Sequence, residues 1–257
     1  MSFKDAFTKI VRDTNLEEAE IYKTLDLIDA HADLFALQPT NRDEFSSQLI
    51  SVLCKVIVYH AKCLYGATET NFMSGAELGS DLTIKDYTKL GMSLDEAESK
   101  LIRSRVSTLT KDANTFAIFI SSMCVTWEDL FYDLCHECLH LLNPTKDISK
   151  VDVQRLEEGV AVKFAEDMYR KYITPYCNIT PLNSPITSRD PRAKHSQYYK
   201  AHSITSKIPD DKLREVRSEF SSFWSVKDKD KFMSIVGDSI TNEEADYLLS
   251  KFDYYSL

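Results

Sequence analysis

The sequence predicts a mainly α-helical α+β fold with one small sheet and helical extensions at both ends. Three observations point there. Glycine and proline are scarce, 6 and 7 of 257 residues, which favours long helices over the frequent turns of a β-sandwich or propeller. Apolar residues recur at three- and four-residue spacing through most of the chain, the period of a helix with one buried face. One run, Thr115-Phe116-Ala117-Ile118-Phe119-Ile120-Ser121, is instead β-rich and bounded by polar residues, as a short strand would be.

Taken in order, residues 3–12 and 16–36 carry mixed helical spacing. A stronger helix is expected over 42–62, with Phe45, Leu49, Val52, Val56, Tyr59 and Cys63 along one face. Residues 66–92 hold four of the six glycines and read as looser chain. A helix over 93–106 opens with Ser93 followed three residues later by Glu96, a capping-box pattern. After the β-rich run, Thr126 is placed to cap a helix whose first turn carries Glu128 and Asp129, favourable at a positive helix end. Asn143-Pro144 should stop it. A further helix is expected from Ser149 or Asp152 to Tyr172. Residues 174–192 hold four of the seven prolines and read as a connector. Helical segments follow at 191–206, 210–224 and 241–252. The chain then divides into a helical region over 1–92, a core over 93–173, and a loop plus helices over 174–257 that pack on the core.

Lys and Arg number 31 against 40 Asp and Glu, a net charge of −9. That balance argues against a nucleic-acid partner, which would call for a basic face; the short basic stretch 189–194 does not alter it. The apolar runs 49–59 and 116–121 fall short of the ~18 residues of a membrane span. Met1-Ser2-Phe3-Lys4-Asp5 has no apolar signal core, so a cytoplasmic location without a membrane partner is expected. The six cysteines then read as reduced, mostly buried thiols, and the sequon Asn178-Ile179-Thr180 carries no meaning.

The chemistry concentrates in His136-Glu137-Cys138-Leu139-His140. Residues i and i+4 lie one turn apart on one helix face, so two imidazoles reach a single metal ion. A glutamate beside the first histidine is placed to act as general base toward a water at that ion. Catalytic zinc takes three protein ligands and keeps a fourth position open. Seventeen residues on stands Glu158, in Leu156-Glu157-Glu158-Gly159-Val160-Ala161. Glu157 is a second candidate for the third ligand. Gly159 is out of place inside a helix, where it costs about 1 kcal/mol against alanine; a close helix–helix approach would account for it.

These residues resemble the gluzincin zinc metallopeptidases, which pair H-E-x-x-H on one helix with a glutamate ligand on a following helix, often as E-G-x-A. The match is His136, Glu137 and His140, then Glu158-Gly159-Val160-Ala161, and covers about residues 114–167. It implies a zincin-like core over 93–173, zinc held by His136, His140 and Glu158, and hydrolysis of peptide bonds in a peptide or protein substrate by a metal-activated water with Glu137 as base. It also implies an extended substrate laid along the 115–121 strand. A transition-state donor is sought on one helix carrying His195, Tyr198, Tyr199 and His202; Tyr199 and His195 are chosen, sharing a face with His202 at i, i+4, i+7 spacing. Asp133, three residues before His136, is either an acceptor orienting a ligand or a solvated side chain. Cys135 and Cys138 read as packing residues, because a structural zinc site needs four ligands and no second cysteine pair is present. The alternative to an enzyme is a regulatory interaction protein of the stress or toxin–antitoxin kind on the same scaffold, its cleft filled by the 174–192 loop.

Overall fold

A computed structural model describes residues 2–39, 44–67, 93, 106–110, 116–120, 124, 126–143, 153–188 and 191–253. Their helices are α1 (Phe3–Arg12), α2 (Glu18–Ala30), α3 (Glu44–Tyr65), α4 (Trp127–His140), α5 (Arg155–Tyr172), α6 (Gln197–Thr205), α7 (Asp210–Phe220), α8 (Lys229–Val236) and α9 (Asn242–Leu249). Short 3-10 turns occupy Ala32–Ala36, Pro191–His195 and Gly237–Ser239.

The α+β expectation is corrected. Helix makes up 69% of the described residues, and no sheet among them forms a layer of the fold. Extended pairing among the described residues is limited to one antiparallel ladder and an isolated bridge. In the ladder, β1 (Val106–Thr110) faces β2 (Phe116–Ile120), from Val106 opposite Ile120 to Thr110 opposite Phe116. A two-stranded ladder is marginally stable by itself, and among the described residues helix-on-helix packing carries the core. The β-rich run lies where the composition placed it. Its partner was not foreseen, because Val106 was assigned to the end of a 93–106 helix. Residues 94–105 of that helix, with the Glu96 of the Ser93/Glu96 box, lie outside the described residues, as do 68–92 and the proposed start at 149–152.

One hydrophobic cluster of the described residues runs from Phe3 and Phe7 through Leu53, Phe131 and Phe164 to Phe232 and Leu248. Phe3, Phe35, Trp127 and Phe131 join α1, the first 3-10 turn and the start of α4. There Trp127 Nε1 donates to the carbonyls of Leu34 and Leu37 at 3.2 and 3.1 Å. The buried side of α3 is broader than its expected stripe. Leu49 and Val56 are buried, but so are Leu53, Cys54, Ile57 and Ala61, while Cys63 is exposed. Neighbours α1, α4 and α7 enclose it from several directions, which a single-stripe reading does not anticipate. Residues Ser46–Tyr65 of α3 are long and apolar enough to cross a membrane by length and composition, and half of that stretch is buried within the fold.

Arg217 of α7, 6% exposed, ties two helix ends together. Its guanidinium donates to the carbonyls of Tyr65 (2.9 Å) and Gly66 (2.7 Å) at the end of α3, and to Leu142 O (3.2 Å) and Asn143 Oδ1 (2.6 Å) after α4. The last carbonyls of a helix have no partner within it, and one planar cation supplies donors to both. Gly66 closes α3 in a left-handed conformation, φ +94°, where glycine alone is unstrained.

Candidate metal centre

Thr126 caps α4 as expected, its Oγ1 accepting from the Asp129 N–H at 3.1 Å. The helix turns Leu130, Leu134, Cys135 and Cys138 into the core. His136 and His140 lie on the opposite side, partly exposed. Cys138 Sγ lies 3.9 Å from the Cys54 carbonyl of α3. Burial raises the pKa of both the Cys135 and Cys138 thiols, so they serve as packing groups.

Antiparallel to α4, α5 returns past it, bringing position 157 to His140 and position 166 to Tyr132. His136 Nε2 and His140 Nε2 stand 3.3 Å apart. Glu158 Oε2 lies 3.1 Å from the first and 3.8 Å from the second. These three ligand atoms fall within 4.8 Å of one another. Glu157 points elsewhere, its Oε1 2.9 Å from His140 Nδ1 on the far edge of that imidazole. Two Nε2 atoms and one carboxylate oxygen around one point are a donor set that suits zinc in its three-ligand form.

The electrostatics agree with a cation site. Burial disfavours charge on His140, but the carboxylates of Glu158, Glu157 and Glu137 outweigh it and push its pKa up to about 10. In the metal-free protein His140 therefore holds a proton that stabilises the fold below its ordinary value near 6.5. That contribution is lost as pH rises from there through 10. A metal must displace the proton, so binding should tighten with rising pH over the same window.

Close approach of α6 completes the site. A Cβ at Gly159 would strike Thr205 Oγ1 and stand 2.9 Å from the Ala201 carbonyl oxygen. The helix glycine is thus where α5 and α6 touch backbone to backbone. Gly159→Ala is expected to lower thermal stability: overpacking of about 1–3 kcal/mol exceeds the gain in helix propensity of about 1 kcal/mol. A melting midpoint equal to or above the parent's would remove this account.

That approach places Tyr198, whose ring lies 6.1 Å from the His136 ring, edge to face, with Phe252 behind it at 4.7 Å. Burial first, then Glu158 and Glu137, raise the Tyr198 pKa well above its usual value, so the hydroxyl keeps its proton. The two residues chosen from the sequence lie differently. His195 is exposed in the 3-10 turn, and Tyr199 is half-buried about 100° further round α6. The face of α6 that meets α5 runs through 198, 201 and 205, not 195, 199 and 202. The usable signal was the small pair Ala201 and Thr205 opposite the isolated Gly159.

Asp133 is not a solvated side chain. It is buried, and both its oxygens accept from Asn183 Nδ2 at 2.9 Å. One turn earlier Asp129 accepts from the Leu182 N–H at 2.8 Å. Glu166 of α5 accepts from Tyr132 (2.9 Å) and from Ser184. Residues 182–184 of the proline-rich connector therefore lie along the first two turns of α4.

No protein-family model, no characterised protein and no solved structure matches this chain.

Proposed function

We propose that the protein is a zinc-dependent hydrolase of peptide bonds, acting in the cytoplasm on a peptide or protein substrate, without a membrane or nucleic-acid partner. The observation that carries the reading is the convergence of His136, His140 and Glu158 to within 4.8 Å, with Glu137 on the same helix. The mainly helical fold sets the cluster apart from a sheet-based scaffold. Zinc held there would supply Lewis acidity, polarising a substrate carbonyl and lowering the pKa of a water.

The remaining roles belong to the chain. Glu137 takes the proton from the attacking water and returns it to the leaving nitrogen. Its carboxylate lies within electrostatic reach of His140 and Tyr198. Tyr198 keeps a neutral hydroxyl beside His136, a donor available to a developing oxyanion.

One equivalent of zinc per chain is expected by elemental analysis, and none in His140→Ala. Added zinc should stabilise the metal-free protein by ~2.7 kcal/mol at one hundred times Kd. Absence of both bound metal and a zinc-dependent melting shift would end the reading. The anchoring of 182–184 by Asp129, Asp133 and Glu166 favours one rival, a regulatory protein whose own connector fills the groove beside the metal. Full zinc loading without cleavage of any member of a broad peptide library would select that rival.

A further inference from the structure

We infer that Glu157 is a positioning residue that fixes the ring of His140, making consecutive glutamates serve one imidazole from opposite edges. The inference rests on the zinc reading above. On α5, successive residues project about 100° apart. Here that turn sends Glu158 toward the paired Nε2 atoms and Glu157 past them to Nδ1. The distances separate the roles: Glu157 Oε1 is 2.9 Å from Nδ1, while Glu158 Oε2 is 3.1 and 3.8 Å from the two Nε2 atoms.

A carboxylate at Nδ1 can only accept, so the ring must donate there. The neutral tautomer then carries its proton on Nδ1 and leaves the Nε2 lone pair aimed at the metal position. The ring plane is fixed as well, because one edge is anchored and the other faces His136 Nε2 at 3.3 Å. Glu157 is 4% exposed, and a buried carboxylate needs a compensating charge. The His140 ring, 2.9 Å away, is the partner that meets it. Glu157 is therefore neither a spare ligand nor a bystander.

Three variants of the full-length protein test this: Glu157→Gln, Glu157→Ala and Glu158→Ala. Zinc affinity is read by competition with a chromophoric chelator. The His140 Nδ1–H resonance is read by nitrogen-15 NMR in the metal-free protein. Loss of an orienting partner typically weakens a metal site 10–100-fold. Glu157→Ala should fall in that range and lose the slowly exchanging Nδ1–H signal. Glu157→Gln, whose amide oxygen still accepts, should keep the signal and bind zinc within about threefold of the parent, since the acceptor geometry survives. Glu158→Ala should keep the Nδ1–H signal while losing more affinity than either. Should Glu157→Ala not fold, Glu157→Met retains the volume without the acceptor and replaces it.

Parent-like affinity and an intact signal in Glu157→Ala would overturn the inference. So would a Glu157→Gln protein as weak as Glu157→Ala. A parent protein that shows the Nδ1–H signal, lost in Glu157→Ala, yet takes up no zinc would sustain the positioning contact and overturn only the metal reading.

Discussion

Glu137→Gln is expected to lower peptide hydrolysis by about 10²–10⁴-fold, the usual contribution of a general base, with little change in zinc content or melting temperature. Glutamine keeps the size of the side chain but cannot take a proton. Glu137 is half-exposed and is absent from the set of groups that meet at the metal position, so its loss removes no ligand. Its charge does bear on both His140 and Tyr198. The measurement is initial rate on a denatured protein or peptide library, with zinc determined on the same samples. A variant that cleaves as fast as the parent would take the role of base away from Glu137.

Arg217→Ala should produce the largest loss of stability of any single change outside the hydrophobic cluster, about 3–5 kcal/mol. That magnitude follows from leaving several buried acceptors without their charged donor. The carbonyls of Tyr65, Gly66 and Leu142 all depend on this guanidinium. Arg217→Lys retains the charge but not the planar fork, and is expected to recover only part of the loss. Because the Leu142 bond lies two residues beyond His140, zinc affinity should fall alongside stability. Urea denaturation of the metal-free proteins separates the two effects. An Arg217→Ala protein within about 1 kcal/mol of the parent would show that water replaces the guanidinium at both helix ends.

Some of this molecule was legible in one dimension. The H-E-x-x-H spacing fixed which two imidazoles share a face, since i and i+4 are neighbours on any α-helix. Thr126 announced the start of α4 and does cap it. The helix-interior Gly159 announced a close approach, and Ala201 and Thr205 of α6 lie against it. Scarce glycine and proline foretold the helices. These are local signals: each depends on residues within one or two turns, or on a steric exception that stands out alone.

What depended on distant chain was decided only in three dimensions. The α+β class failed because a β-rich run says nothing about how many strands will join it; here one hairpin partner did. Of the two adjacent glutamates, the angle at which α5 crosses α4 sends Glu158 to the Nε2 atoms and Glu157 to Nδ1, and no pattern within 155–161 encodes that angle. Tyr198 in place of Tyr199 beside His136 is a difference of about 100° of rotation, set by the seating of Ala201 and Thr205 on Gly159. Asp133 was drawn to Asn183, fifty residues away, because the proline-rich connector folds back along α4. Periodicity determines which residues share a face. Only the packing of one face against another determines what that face will meet.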